Sequence, residues 1–333
     1  MSGWRGIFWG RDFERRIKME NFLVHSVFQT VTNLQADPTK PLLSVVTRVE
    51  ALGPNAMFMT GGGLDRFKVG SSVKYLLGQL VMGTIVIDCS NASRHDAKFK
   101  GNSKGLGDSS GSGDRDRNKF GDWDTDRDRV GVGVGQKSGA HQRVQAWLEI
   151  MCPGLTRVRS PSTDQLTQGL LTEDEGLLRL SLAGLIGQGE GLTPSGDDFV
   201  AGILLSYVKG FQLTGQTSAF LARLPCLVEE VWWRTTTISQ TMLWYAARGD
   251  GASYVVEMAQ AMLQESGQVM EMATRLCAVG ASSGRYLLAG VLVGSELFKT
   301  REHDKLGRNA GNTIKYLRRF GDTDGLVPKD TTG

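Results

Sequence analysis

The feature that most constrains this chain is a glycine-rich segment that leads directly into an apolar run. Residues 187–198 contain four glycines, two hydroxyl residues and two adjacent aspartates, and the next eight residues are Phe-Val-Ala-Gly-Ile-Leu-Leu-Ser. Glycine permits a backbone with positive φ, and proline is favoured at the start of a helix. The segment therefore predicts a loop followed by a buried helix that starts after Pro194. Thr193 or Ser195 is the expected cap, and Ser195 with Asp198 resembles a capping box.

Two interpretations of this loop stay open. In the first, backbone amides at the helix N-terminus bind an anion, and a carboxylate takes part in catalysis or holds Mg²⁺, which prefers oxygen ligands. In the second, the aspartates only offset the helix dipole and the loop is a structural turn. The spacing fits neither a Walker loop nor the dinucleotide-binding fingerprint. The candidate catalytic residues are Ser195, Asp197 and Asp198, the candidate metal ligands are Asp197 and Asp198, and the candidate anion-binding residues are Gly189, Gly191, Thr193 and Gly196.

A second segment repeats this pattern later in the chain. Ser283 begins the run Ser-Gly-Arg-Tyr-Leu-Leu-Ala-Gly-Val-Leu-Val, 88 residues after Ser195 begins Ser-Gly-Asp-Asp-Phe-Val-Ala-Gly-Ile-Leu-Leu. The small residues at 201/202 and at 289/290 would allow two helices to pack closely. We therefore predict two similar helix starts that face each other across one pocket. The alternative is a coincidence between two ordinary buried helices.

Several polar residues near these segments are further candidates for the same pocket. Residues 235–239 read Thr-Thr-Thr-Ile-Ser, and their hydroxyls either only cap a helix or point in part into the pocket. Arg285 lies at a helix start, where a cation opposes the helix dipole. It forms either a surface salt bridge or a bidentate contact with a ligand carboxylate or phosphate. The candidate anion-binding residues in this group are Thr236, Ser239, Ser282, Ser283, Gly284 and Arg285.

Charge, hydropathy and cysteine spacing limit the classes of function. The net charge is only +3, with acidic and basic residues mixed along the chain, which argues against nucleic acid as a partner. Apolar runs such as Val200–Val208 are too short to cross a bilayer, so no membrane partner is expected. The four histidines form no ligand-spaced pair, which argues against a zinc site. The absence of CxxC spacing is typical of reduced core thiols in a cytoplasmic protein, and the cysteines concerned are Cys89, Cys152, Cys226 and Cys277.

Changes in composition along the chain set the predicted domains, and the predicted fold class is α+β. Residues 1–19 are expected to form a flexible arm. Strand-like segments over 20–92 predict a small β-rich domain. Residues 93–140 are dominated by Gly, Ser, Asp and Arg, which predicts a flexible low-complexity linker. Residues 141–322 predict a helical domain that carries the motif loops, and 323–333 predict a frayed tail.

Individual elements follow from the periodicity of apolar residues. The predicted strands are Phe22–Val31, Leu42–Val49, Ala56–Thr60 and Gly83–Cys89, while Val73–Leu80 fits either a strand or a helix. The predicted helices are Arg143–Met151, Thr163–Leu185, Phe199–Gly210, Thr217–Trp233, Thr235–Ala247, Ala252–Gln264, Val269–Val279 and 284–298.

Three of these segments together resemble one protein family. The run Gly187-x-Gly-x-Gly-Leu-Thr-Pro-Ser-Gly-Asp-Asp-Phe-Val-Ala-Gly202 is similar to the signature of the AllH-like family, named for a subunit of oxamate carbamoyltransferase. The resemblance continues at Thr235–Gly249 and Gly280–Gly284, and more loosely around Val24–Leu34 and Gly53–Ala92. It therefore covers most of the chain apart from the predicted arm, linker and tail.

This resemblance implies a subunit of a multi-subunit enzyme of purine and allantoin breakdown. That enzyme phosphorolyses oxalurate to oxamate and carbamoyl phosphate, so the expected ligands are carbamoyl phosphate, phosphate or an oxamate-like anion. The expected partners are the other subunits of the complex. Two positions depart from the family pattern, since Ala281 stands where His is usual and Tyr286 where Asp is usual. If those family residues transfer protons or bind metal, this chain has a changed activity or none.

Two other functions stay open on the sequence, which does not decide whether the chain is catalytic. One is a small-molecule phosphotransferase that holds nucleotide phosphates in the glycine loop. The other is a non-catalytic scaffold subunit, in which the loops are structural and the apolar helices dock partners.

Overall fold

The computed structural model describes residues 4–95, 139–152 and 160–305. Within these ranges a β-rich domain precedes a helical domain, which confirms the predicted α+β class. Most of the predicted linker at 93–140, the predicted tail at 323–333 and the end of the predicted helical domain lie outside the described residues. No helix in the ranges described is both long enough and apolar enough to cross a bilayer.

The N-terminal domain is a closed β-barrel. Its described strands are β1 (Trp4–Trp9), β2 (Phe22–Val27), β3 (Val31–Gln35), β4 (Leu43–Val46), β5 (Ala56–Thr60), β6 (Ser72–Leu76), β7 (Gln79–Met82), β8 (Ile85–Asp88) and β9 (Ser93–Arg94). The strands are ordered β5-β4-β3-β2-β6-β7-β8-β1, and pairing of β1 with β5 closes the ring, with β9 added beside β1. Closure leaves no long unpaired edge around the ring.

The flexible arm predicted for residues 1–19 is wrong for the part that the structure describes. Strand β1 pairs with both β5 and β8, and the helix α1 (Arg11–Ile17) follows it. Phe13 and Ile17 of α1 are 0% and 2% exposed and belong to the barrel core. The charged residues suggested an arm, but Phe13 and Ile17 bury the helix against the barrel, and the one charged residue buried beside them, Arg16, bonds to the Pro41 carbonyl oxygen and to Glu20.

The segment that fitted either a strand or a helix forms a β-hairpin. Strands β6 and β7 pair antiparallel, from Val73 opposite Met82 to Leu76 opposite Gln79. Leu77 and Gly78 make the turn with φ of 48° and 81°. A two-residue turn with positive φ at both positions matches the twist of the flanking strands, so the apolar run is divided between two strands.

The C-terminal domain is helical, and its helices lie close to the predicted segments. The described helices are α2 (Ala140–Met151), α3 (Pro161–Thr172), α4 (Glu175–Leu185), α5 (Ser195–Leu213), α6 (Ala219–Glu229), α7 (Thr237–Ala246), α8 (Ser253–Leu263), α9 (Val269–Cys277) and α10 (Ser283–Lys305). The predicted helical segment Thr163–Leu185 is two helices, because Glu173 takes a left-handed conformation and the Asp174 carboxylate caps α4.

The four cysteines are free, as predicted. Cys89 is buried in the barrel, and Cys152 and Cys277 are half-buried. Cys226 is exposed on α6, so the prediction that every cysteine lies in the core is wrong for that residue.

Helices α5 and α10 cross in close contact at two glycines. A Cβ added to Gly202 would lie 2.3 Å from the Leu287 carbonyl oxygen and 2.9 Å from the Gly290 Cα. A Cβ added to Gly290 would lie 2.2 Å from the Phe199 carbonyl oxygen. These distances leave no room for a side chain, so the small residues of the repeated motif allow the two helix backbones to touch. The predicted close packing of the two motif helices is confirmed.

We predict that Gly202→Ala lowers the free energy of unfolding by about 1–3 kcal/mol, because the new methyl group forces the crossing apart. Alanine otherwise stabilises a helix relative to glycine by about 0.8–1 kcal/mol, so a net loss would report the clash. Gly267→Ala is the control, since a Cβ there has no neighbour within 4 Å. Urea unfolding of the two variants and the parent chain provides the measurement, and equal stability of Gly202→Ala and the parent would contradict the prediction.

The two domains are joined by direct hydrogen bonds. The Ser253 amide and hydroxyl both donate to the Leu52 carbonyl oxygen, at 2.9 and 2.7 Å. The Leu42 amide donates to the Thr241 hydroxyl at 2.9 Å. Arg11 forms a salt bridge of 2.8 Å with Asp250. These contacts surround a cleft between the barrel and the N-terminal ends of the motif helices.

Candidate functional site

A cavity of about 440 Å³ lies between the barrel and the helical domain. Its barrel wall comes from β3, β4 and the turns around residues 51–56, and its helical wall comes from α5, α7, α8 and the start of α10. Most of the lining side chains are apolar. The two motif segments both reach this cavity, because Thr193, Asp198 and Ser283 are among the lining residues.

The starts of the two motif helices meet at the cavity, as the repeated motif predicted, although the contact is made by Thr193 and Ser283 and Ser195 stays outside the lining. The Thr193 and Ser283 hydroxyls lie 2.7 Å apart, although the two residues are separated by 90 positions in the chain. The crossing of α5 and α10 fixes this pairing, since both helices begin within one turn of these hydroxyls. The pair therefore marks the place where the two N-termini meet.

Asp198 lies beside this hydroxyl pair and is only 1% exposed. Neither of its carboxylate oxygens has a hydrogen-bond partner of normal geometry among the described residues. An ionised carboxylate that is buried without partners is costly. Asp198 is therefore a buried acid at the cavity wall, and the hydroxyls beside it, on Thr193 and Ser283, bond to each other.

Burial raises the pKa of Asp198 to about 7. The neighbouring Ser283 and Thr193 hydroxyls lower it, while the charge of Asp197 raises it further. Tyr254 lines the same cavity, and its pKa is raised to about 12 by burial and by the charge of Asp198. At neutral pH the Asp198 carboxyl is thus divided between its protonated and ionised forms, so it can both donate and accept a proton.

Asp197 has a different environment from its neighbour. One of its carboxylate oxygens accepts a hydrogen bond of 2.7 Å from the Gly187 amide, and the other accepts one from the Thr235 hydroxyl. Its side chain is fully buried and does not line the cavity. Asp197 therefore ties the glycine loop and the segment before α7 to the start of α5.

Asp197 is already hydrogen-bonded within the protein, whereas Asp198 faces the cavity. Within the described residues no group of three or more His, Cys, Asp or Glu side chains is placed to hold a metal. Only Asp198 has carboxylate oxygens without partners. Mg²⁺ stays a prediction, and a cation bound to both residues would first have to break the bonds of Asp197.

The glycine loop is a tight structural turn. Gly187, Gly189 and Gly191 have φ of 83°, 109° and 92°, which accounts for glycine at these positions. The expected caps are wrong: Pro194 occupies the N-cap position of α5 without a side-chain cap, and the Ser195 hydroxyl donates to the Gln188 carbonyl oxygen at 3.4 Å. Thr193 pairs with Ser283 instead, because the second helix lies within reach.

Two of the backbone amides that were expected to bind an anion make bonds within the protein. The Gly196 amide donates to the Gln188 carbonyl oxygen at 2.9 Å, and the Gly284 amide donates to the Val279 carbonyl oxygen at 3.0 Å. Gly189 and Gly191 are outside the cavity lining, as are Ser195 and Gly196. The polar groups at the cavity are therefore side chains rather than these amides.

The remaining predicted site residues surround the cavity without lining it. The Thr236 hydroxyl donates to the Leu192 carbonyl oxygen at 2.6 Å and caps α7 by accepting from the Ser239 amide. The Ser239 hydroxyl is buried without a partner of normal geometry in the described ranges. Ser282 and Arg285 are exposed, and Gly284 is buried against the backbone of α9. Thr236 thus joins the glycine loop to the start of α7, while Arg285 faces solvent.

The sequence interpretation missed the contribution of the barrel to this cavity. Asn33, Ser44 and Asn55 line its barrel wall. The Ser44 hydroxyl donates to Asn33 Oδ1 at 2.9 Å, and Asn55 Nδ2 donates to the Leu42 carbonyl oxygen at 3.1 Å. The turn Gly53-Pro54-Asn55 was the only local signal, and it indicated a strand end rather than a ligand-facing group.

We predict that replacing Asp198 by Asn changes how stability depends on pH. Between about pH 4 and pH 7 the unfolded chain has released this proton while the folded chain keeps it, so folded wild type loses stability as pH rises through that window. Asp198→Asn lacks this loss. Its stability relative to wild type should therefore rise between pH 5 and pH 8 by up to about 3 kcal/mol.

Urea unfolding of wild type and Asp198→Asn at a series of pH values measures the difference between their free energies of unfolding. The other titrating groups are the same in both chains, so their contributions cancel in this difference. A difference that stays constant from pH 5 to pH 8 would show that the carboxyl ionises with its ordinary pKa.

The chain also matches two protein-family models. Residues 185–295 match the family model described as oxamate carbamoyltransferase subunit AllH. Residues 5–94 match the model described as AllH family N-terminal domain. No curated protein and no solved structure matches the chain. The first match spans both motif loops and the crossing of α5 and α10, and the second spans the barrel.

Proposed function

The chain belongs to the AllH family, and from that membership we propose that it is a subunit of a carbamoyltransferase-like enzyme. In this proposal the cleft between the barrel and the helical domain holds a small amide or ureido substrate. The partners are the other subunits of the complex. Support comes from the two family matches, which together include both walls of the cleft.

The reaction implied for this family is transfer of a carbamoyl group from oxalurate to phosphate. The carbon–nitrogen bond between the carbamoyl carbon and the amide nitrogen breaks, and a carbon–oxygen bond to phosphate forms. The departing oxamate nitrogen must receive one proton, and the attacking hydrogenphosphate must release one, so the protons balance overall. A group that exchanges a proton near neutral pH at a water-poor site suits this step.

The proposal depends most on the environment of Asp198. It is a buried acid at the cleft with no hydrogen-bond partner of normal geometry in the described residues, and its pKa is raised to about 7. In active sites, burial and an adjacent carboxylate often shift the pKa of a group that transfers protons. We assign it the role of passing a proton to the leaving nitrogen, with the Thr193 and Ser283 hydroxyls orienting the substrate beside it.

Asp197 and Ser195 have supporting roles in this proposal. Asp197 fixes the loop so that Asp198, the next residue on α5, is held at the cleft. Ser195 is bonded to Gln188 and stays outside the lining. If Mg²⁺ takes part, Asp198 rather than Asp197 would bind it, because both Asp197 oxygens are already hydrogen-bonded. The ion would then contact both Asp198 and the substrate.

The scaffold function is the second candidate, and a specific observation favours it. Several groups that first suggested an anion site are bonded within the protein, among them the Asp197 carboxylate and the Gly196 and Gly284 amides. A loop bonded in this way can join the helices without binding any ligand. The phosphotransferase alternative has less support, because the family model that matches the motif loops is described as a carbamoyltransferase subunit.

We predict that Asp198→Asn lowers the rate of carbamoyl phosphate formation by about 10²-fold or more, because Asn cannot supply a proton. The chain is assembled with its partner subunits, and carbamoyl phosphate is measured from inorganic phosphate and a panel of ureido compounds that begins with oxalurate. Glu190→Gln is the matched control, since Glu190 is exposed on the same loop and outside the cleft. It should retain the wild-type rate.

Assembly of each variant with the partner subunits is measured in parallel by size-exclusion chromatography. A complex that forms normally and keeps full turnover with Asp198→Asn would support the scaffold function. A wild-type complex without turnover of any ureido compound would overturn the proposal.

A further inference from the structure

The cleft is larger and more apolar than oxamate or oxalurate requires. Its volume is about 440 Å³, which is within the range of about 300–1,000 Å³ for pockets that enclose drug-sized ligands. Oxamate and oxalurate are much smaller and carry polar atoms along their whole length. Either of them alone would leave most of the apolar wall in contact with water.

The apolar walls of the cleft face each other across the domain boundary. They are contributed by both domains, and the main contributors are Phe28, Val31 and Val46 from the barrel and Leu205, Met242 and Leu287 from the helices. Burial of apolar ligand surface against such walls contributes about 25 cal/mol per Å². A ligand that fills the cleft therefore needs an apolar body.

Four polar residues of the helical wall lie around Asp198 or include it. Asp198 lies beside the Thr193–Ser283 hydroxyl pair, and the charge of Asp198 acts on Tyr254. Asp198 is 1% exposed and lacks a hydrogen-bond partner of normal geometry in the described ranges. In its ionised form Asp198 would accept a hydrogen bond from an N–H group of a ligand and would repel a ligand carboxylate or phosphate.

The charged side chains among the described lining residues are both acidic. Asp198 and Asp250 are the charged residues among the described lining residues. Asp250 is already paired with Arg11 at 2.8 Å and accepts from the Gly251 amide at 2.9 Å. Arg285, the cation expected for an anionic ligand, is exposed and outside the lining. The described walls thus favour a ligand end that donates hydrogen bonds over an anionic end.

We infer that the cleft binds an amide or ureido compound whose N–H donors meet Asp198, Thr193 and Ser283 and whose apolar body fills the space between the two walls. This inference rests on the proposed function, since it names the substrate class for the same cleft. It assigns this chain a substrate that carries an apolar group which oxalurate lacks. The Asn33, Ser44 and Asn55 side chains also line the barrel wall, and they are hydrogen-bonded within the protein.

A series of ureas tests the inference on the full chain by isothermal titration calorimetry. Urea, butylurea and phenylurea share the N–H donor end and differ in the apolar body. We expect affinity to rise along the series, by at least tenfold from urea to phenylurea. Benzoate has the same ring with an anionic end, and we expect it to bind at least tenfold more weakly than phenylurea. Oxamate and inorganic phosphate should likewise bind more weakly.

Variants locate the binding in the cleft. Asp198→Asn should reduce the preference for phenylurea over benzoate to less than threefold, while Glu190→Gln should leave it unchanged. Val31→Phe fills the cleft from the barrel wall and should weaken phenylurea at least tenfold with little effect on urea. Met242→Phe fills it from the helical wall and gives a second test if Val31→Phe fails to fold.

The outcomes separate this inference from the proposed function. Equal affinity along the urea series, or tighter binding of benzoate, oxamate or phosphate than of phenylurea, would overturn the inference even if Asp198-dependent turnover of oxalurate is observed. The expected urea series, together with a complex that turns over no ureido compound, would leave the binding inference standing and reject the proposed function.

Discussion

The structure of this site depends on the close crossing of α5 and α10. Gly202 and Gly290 allow the two backbones to touch, because a side-chain carbon at either position would overlap a carbonyl oxygen of the other helix. Each helix begins eight residues or fewer before its crossing glycine, so the crossing also brings the two helix starts together. The Thr193–Ser283 hydroxyl pair is a direct consequence. Larger residues at the crossing would separate the corners that border the cleft.

Much of this arrangement could be predicted from the sequence because it depends on local pattern. The α+β class follows from the change in apolar periodicity, and the repeated Ser-Gly and Ala-Gly spacing predicts both the close helix packing and the convergence of the corners. The helix α5 was expected because a glycine loop and a proline precede an apolar run. In each case the signal is contained within a few turns of chain, where residue type alone restricts the backbone.

Other features depend on tertiary contacts that no local pattern records. The segment at 4–17 contains enough charge to resemble an arm, yet pairing of β1 with β5 and burial of Phe13 hold it in the barrel. Thr193 was expected to cap α5, but the start of α10 offers its hydroxyl a partner from a distant part of the chain. The barrel wall of the cleft was missed for the same reason, since Asn33 and Asn55 acquire their position only when the two domains dock.

The two adjacent aspartates show why residue type and spacing do not assign roles within a motif. Successive residues on a helix point about 100° apart, so Asp197 and Asp198 face different surroundings although they share one helix end. Asp197 meets the Gly187 amide and the Thr235 hydroxyl and is a fixed, hydrogen-bonded carboxylate. Asp198 meets the cleft, where burial raises its pKa more than the neighbouring Ser283 and Thr193 hydroxyls lower it. Asp197 therefore fixes the turn, and Asp198, the proposed proton donor, depends on that turn for its orientation.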